Sequence, residues 1–179
     1  MSRPAQSTAK AGERPIFTFD TAMGLCGLSW SKSGIARVFL PGGTVPQAGH
    51  PDPPGFVIHA ARRIRLHLAG DLQRMDDIPV DLRGLGGFTA RVLEAVRRLG
   101  PGRTATYAGV AAMAGSPGAA RAVGNALARN PVPIIVPCHR VLPSSGGPGG
   151  FSGPGGVRTK LLLLALEGVD PWSRDPRRG

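Results

Sequence analysis

The stretch Asn130-Pro131-Val132-Pro133-Ile134-Ile135-Val136-Pro137-Cys138-His139-Arg140-Val141 sets one thiol between a stiff apolar segment and a His-Arg pair. Prolines at 131, 133 and 137 fix φ and push each preceding residue out of the helical region, so the segment must extend or turn. Val132, Ile134, Ile135 and Val136 form a short apolar run, which predicts a strand buried on both faces and ending at Cys138. Burial alone would raise a thiol above its usual pKa of about 8.5 and leave it inert, whereas a neighbouring cation lowers it and frees the thiolate. His139 and Arg140 are expected to supply that opposing influence, which makes Cys138 the candidate nucleophile. Successive residues of an extended chain point oppositely, so Cys138 and His139 are expected not to touch, with a water carrying the proton between them. Cys26, in Gly24-Leu25-Cys26-Gly27-Leu28, has no such neighbours and reads as a small core residue.

Downstream, Pro143 to Gly156 is Gly-rich and suited to close backbone approach to a flat ligand, with Phe151 as an aromatic that needs something to pack against. Lys160 to Glu167 predicts a helix in which Leu161 to Leu164 cover the whole circumference, so deep burial is expected. Glu167 ends it. A carboxylate there opposes the helix dipole by roughly 0.3–1 kcal/mol and calls for a partner, for which His139 is the best candidate.

Upstream, Phe88, Val92, Ala95, Val96 and Leu99 recur at helical spacing and stop at Gly100-Pro101-Gly102. Thr106 is the expected N-cap of a short helix from Tyr107 to Ala114, closed by Gly115. Ser116-Pro117 then supplies an N-cap and first-turn proline for a helix reaching about Arg129. Two helices across a tight turn are helix-turn-helix grammar. In the second, Ala120, Val123 and Leu127 share one face while Arg121, Asn125 and Arg129 line another that could meet DNA.

Nearer the start, Ile16 to Asp20, Leu25 to Trp30 and Ile35 to Leu40 predict a small antiparallel sheet, the last two strands joined by Ser31-Lys32-Ser33-Gly34. Pro41 to Gly55 reads as a loop. Val57 to Leu68 reads as an amphipathic helix with Arg62, Arg63 and Arg65 on its solvated side, and Asp77 to Arg83 as a connector. Residues 1–14 and 169–179 are polar and Pro-rich and are expected to be disordered.

A net charge of +11 and a pI near 11.4 fit a polyanionic partner, nucleic acid first. Two distant cysteines argue against a disulfide framework and for a reducing, cytoplasmic setting, with neither a signal peptide nor a membrane span in view. His50, His59 and His67 make no tight ligand spacing with either cysteine, so no metal is expected.

Thr106-Tyr107, Ala120-Arg121-Ala122-Val123-Gly124, Asn130-Pro131-Val132-Pro133, Pro137-Cys138-His139-Arg140-Val141 and Lys160 to Glu167 together resemble the O6-alkylguanine-DNA alkyltransferases, in the family's order from about Phe88 to Gly168. Phe19-Asp20-Thr21-Ala22-Met23-Gly24 and Asp81-Leu82-Arg83-Gly84 extend the likeness loosely. The resemblance implies an α+β chain: a small ribonuclease H-like α/β domain at 15–80, then a mainly helical, winged-helix-like domain at 81–168. It also implies direct-reversal repair of double-stranded DNA, in which Cys138 takes the alkyl group from guanine O6, with thymine O4 as a second candidate, once per molecule. No cofactor is implied, and a monomer is expected. His139 would take the thiol proton through water, Glu167 would orient His139, Asn130 would brace the turn, and Tyr107 would help protonate the leaving guanine. Arg121 would enter the minor groove, with Ala120, Asn125 and Arg129 beside it on the DNA. Pro133, Val141, Phe151, Ser152 and Lys160 would shape the pocket, and Arg140 would be structural. A non-catalytic binder of alkylated DNA is the alternative, which the nucleophilic cysteine disfavours.

Overall fold

Short apolar strands with tight turns build a three-stranded antiparallel meander from β1 (Ile16–Thr21), β2 (Gly24–Ser31) and β3 (Gly34–Phe39), in that spatial order. The structure, a computed structural model, describes residues 14–46 and 52–173. The expectations for 1–13, 47–51 and 174–179 lie outside them. Phe19 stands opposite Cys26 across the β1–β2 pair, and both are buried. Helix α1 (Gly55–Leu68) covers this sheet with Val57, Ala60, Ala61, Ile64 and Leu68.

Gly34 does more than turn the chain. Its φ is +139°, and a Cβ there would lie 2.5 Å from the Pro79 carbonyl. Glycine thereby admits the segment after α1 to the edge of β3, where Ile35 N donates to Pro79 O at 2.8 Å and Asp81 N to Ile35 O at 2.7 Å. The expected connector is thus a short parallel bridge, Ile35 with Val80. Asp81 is anchored there by Ser31 Oγ at 2.6 Å and Arg83 Nε at 2.8 Å.

The second half is helical around a two-residue parallel ladder. Helix α2 (Gly87–Arg97) buries Val92, Leu93, Ala95 and Val96. Strand β4 (Ala105–Thr106) leads into α3 (Tyr107–Met113), capped as expected by Thr106 Oγ1, which accepts from Gly109 N at 3.0 Å. Gly115, at φ +71°, closes α3, and Ser116 N donates back to Ala111 O at 2.9 Å.

Helix α4 (Ala120–Leu127) is shorter than expected at both ends. Gly118 takes φ +87°, so Ser116-Pro117-Gly118 forms a separate turn, with Ala119 N on Ser116 O at 3.1 Å, and Ser116 caps nothing. A single helical turn, Cys138–Arg140, precedes β5 (Val141–Leu142), which pairs parallel with β4.

Helix α5 (Val157–Leu166) buries Lys160, Leu163 and Leu164 but leaves Leu162 56 % exposed, so its leucines do not all face the core. Nor are residues 169–173 free of the fold. Pro171 is buried and its carbonyl accepts from Gly147 N at 3.0 Å, because Pro171 and Trp172 pack on the Gly146-Gly147 turn. One continuous apolar cluster joins Leu28, Ile35 and Ile64 to Val92, Val132 and Leu163. No helix among the described residues is long and apolar enough to cross a membrane.

Candidate active site

The prolines that suggest a strand in Asn130–Pro137 also forbid one, since residues 131, 133 and 137 have no N–H for a ladder. The segment folds instead into a clasped turn. Val136 N donates to Val132 O at 2.9 Å, Asn130 Oδ1 accepts from Val132 N at 3.0 Å, and Asn130 Nδ2 donates to Val136 O at 2.9 Å. Ile134 holds φ +73°, a left-handed value that costs a β-branched residue about 1–3 kcal/mol and persists because its side chain is buried. Pro131 O accepts from Val38 N at 2.9 Å, which ties the clasp to β3.

Cys138 opens the helical turn that follows, so successive side chains diverge by roughly 120° rather than alternating as on a strand. His139 is carried away from the thiol to Glu167 at the C-terminus of α5, Nε2 to Oε1 at 3.0 Å. The partner expected for Glu167 is therefore the one it has. His139 Nδ1 is buried with no protein partner among the described residues. With Nε2–H given to the carboxylate, Nδ1 carries the lone pair and is the basic atom.

Glu167 gathers more than His139. Oε1 also accepts from Arg140 Nη2 at 2.7 Å and His67 Nε2 at 3.1 Å, and Oε2 accepts from Arg140 Nε at 2.9 Å and Gly102 N at 3.0 Å. Arg140 Nη1 donates to Leu99 O. Burial alone would raise the Glu167 carboxyl, but hydrogen bonds from His139, His67 and Arg140 overcome it and hold the group far below the ordinary carboxylate range. His67, His139 and Glu167 are close enough together to suggest a metal centre, yet the Arg140 guanidinium already occupies the carboxylate and opposes a cation.

The cation beside the Cys138 thiol is Lys160 rather than His139 or Arg140. The thiol is pushed up by burial, against which a hydrogen bond from Asn130, the charge of Lys160 and nearby amides act only in part. Burial holds His139 down, although Glu167 favours its charged form. Arg140 spends its charge on Glu167. Burial thus favours thiol over thiolate at Cys138 and neutral imidazole over imidazolium at His139.

Cys138 stands in the wall of a cavity of about 280 Å³ lined by Tyr107, Gly124, Leu127, Phe151 and Ser152. A second cavity of about 560 Å³, also lined by Cys138, runs past Asn130, Pro133 and Phe151 towards Arg37 on β3. Burial raises the Tyr107 hydroxyl, and ionised Cys138 would add to it, so it stays protonated at neutral pH. Lys160 is buried behind, with Nζ on Val141 O at 2.7 Å and Gly150 O at 3.3 Å, and burial lowers its pKa to about 8. Arg121 and Asn125 are exposed on α4 and Ala120 is half-buried, whereas Arg129 reaches back to Thr89 Oγ1 at 3.3 Å.

His67 belongs to no motif or ligand spacing in the sequence. Its signal was positional, because Ala60, Ile64 and His67 fall at i, i+4 and i+7 on the buried stripe of α1.

A buried thiol beside a cavity of this size, with an imidazole held by a carboxylate behind it, is the arrangement of a cysteine-centred transferase site. Residues 87–169 match the family model described as 6-O-methylguanine DNA methyltransferase, DNA binding domain. The methylated-DNA–protein-cysteine methyltransferase of Methanothermobacter thermautotrophicus is 37% identical over 143 residues, 80% of this chain and 79% of that one. Its counterpart in Mycolicibacterium paratuberculosis is 37% identical over 152 residues, 84% and 90% of the two chains. The solved structure of Mycobacterium tuberculosis OGT in complex with DNA superposes with a TM-score of 0.71 at 36% identity, covering 90% of this chain and 94% of that one. The chain belongs to the methylated-DNA–protein-cysteine methyltransferase family.

Proposed function

We propose that the protein repairs alkylated DNA by direct reversal, moving the alkyl group from guanine O6 to Cys138 Sγ in a single irreversible turnover. The observation that carries this reading is the Cys138 thiol in the wall of the smaller cavity with the His139–Glu167 pair behind it. Tyr107 and Phe151 flank room for a flipped purine. As the Sγ–carbon bond forms and the carbon–O6 bond breaks, the thiol proton passes through water to His139 Nδ1. The electron pair stays on guanine, which Tyr107 protonates before regaining a proton from solvent. Asn130 braces the turn, while Val141, Ser152, Pro133 and Lys160 shape the pocket.

On this reading residues 15–80 form the ribonuclease H-like unit and 81–168 the winged-helix-like unit, which acts as a monomer on double-stranded DNA. Both described cysteines are free thiols, which suits a reducing cytoplasm. Arg121 enters the minor groove from α4 and fills the gap left by the extruded base, with Ala120, Asn125 and Arg129 beside it.

Intact-mass analysis after mixing with O6-methylguanine duplex is expected to show the protein heavier by one methylene, with the gain mapped to Cys138. Unchanged mass of reduced, folded protein would sink the reading. Arg121→Ala is expected to slow transfer from duplex by roughly 10–100-fold, since a few kcal/mol of unstacking goes unrecovered. Transfer from free O6-benzylguanine should not change, and equal losses on both substrates would place Arg121 outside the flipping step.

A further inference from the structure

We infer that His67, on α1 and outside the catalytic unit, is a positioning residue for alkyl transfer that keeps His139 unprotonated by sharing Glu167 Oε1 with it. The inference rests on the reading that Cys138 and His139 carry out the transfer.

His67 is fully buried, and its ring is fixed at both ends. Nδ1 accepts from Gln73 N at 3.2 Å, which leaves the proton on Nε2, and Nε2 faces Glu167 Oε1 at 3.1 Å. The same oxygen takes His139 Nε2 at 3.0 Å, so two imidazoles from opposite halves of the chain donate to one lone-pair region. Each donor weakens the pull on the others. A carboxylate bound by His139 alone would stabilise the imidazolium and hold a proton on Nδ1, where the thiol proton must go. The Gln73 contact thus fixes the tautomer that donates and gives His67 a steady share of the carboxylate.

The charged and titratable groups around this pair are few. Arg140 lies against Glu167 from the helical turn, and Cys138, Lys160 and Tyr107 border the thiol side. None of them replaces the His67 donor, because Arg140 is already committed to both carboxylate oxygens and to Leu99 O.

The test is the pH dependence of single-turnover transfer in wild type, His67→Phe and His67→Gln. Loss of the donor in His67→Phe should strengthen the His139–Glu167 pair and move the acid limb to higher pH, with transfer at about pH 6 slowed at least threefold more than at about pH 8. His67→Gln, whose amide can donate from the same place, should restore the wild-type limb, and lesion-duplex affinity should be common to all three. Coincident limbs for folded His67→Phe and wild type would overturn the inference, as would a shifted limb that Gln does not restore. Should His67→Phe fail to fold, nitrogen NMR of wild type decides instead. A proton on His67 Nε2 near neutral pH supports the role, and the Nδ1–H tautomer, unable to donate to Glu167, overturns it. Failure of wild type to gain mass would strike the underlying transfer reading itself.

Discussion

Cys138→Ala is expected to reduce alkyl transfer to the uncatalysed background while leaving affinity for an O6-methylguanine duplex intact. No second thiol can substitute, since Cys26 is fully buried in the sheet and its thiol is pushed up to about 11 by burial, a hydrogen bond with Thr21 notwithstanding. Deleting one buried sulphur should cost stability of only about 1 kcal/mol, so loss of transfer will not reflect unfolding. Intact mass and fluorescence anisotropy on the same preparation check both halves. The variant also separates transfer from binding. A chain that merely marked lesions would protect alkylation-sensitive cells as well with alanine as with cysteine, whereas a transferase would lose protection.

Glu167→Gln should be nearly as damaging, and for two reasons. The amide keeps one acceptor but turns an NH2 towards a set of donors, leaving the buried Arg140 guanidinium without its charge partner. Breaking such a pair costs about 3–5 kcal/mol and should lower the melting temperature by roughly 10 °C. Where the amide donates to His139, it forces the proton onto Nδ1 and removes the base, slowing transfer by roughly 10²–10⁴-fold. The stability gap also has a definite pH dependence. Because the Glu167 carboxyl is held far below its ordinary range, its contribution is complete above about pH 5 and fades as pH falls towards the depressed folded value. Melting curves should therefore converge in acid; a constant gap from neutral pH downwards would contradict the charged cluster.

Much of this site was legible in the residues because its chemistry is local. The thiol motif, the Thr106 cap and the Gly115 stop each follow from one side chain and its near neighbours, and the Glu167–His139 pair, though 28 residues apart, follows from a helix-end carboxylate that calls for a partner. What escaped depended on distant contacts. The apolar spacing in 132–136 looks like a strand, but the missing proline N–H groups and the Asn130 side chain make it a turn. That same geometry removes the extended-chain argument for keeping Cys138 and His139 apart and puts a helical turn in its place. His67 and Glu167 are separated by 100 residues in sequence, so only packing of α1 against the second half brings them together. The charge near Cys138 follows the same rule: Arg140 is only two residues away in sequence, yet the carboxylate at the end of α5 claims its charge.

The left-handed backbone at Ile134 bears on how this protein fails when heated. That conformation is kept by close packing and by the Asn130 clasp, not by intrinsic preference, so it is the first to relax once the surrounding interior loosens. The nucleophile would then drift from its base while most helices remain intact. Warmed samples should accordingly lose repair capacity below the temperature at which circular dichroism reports melting.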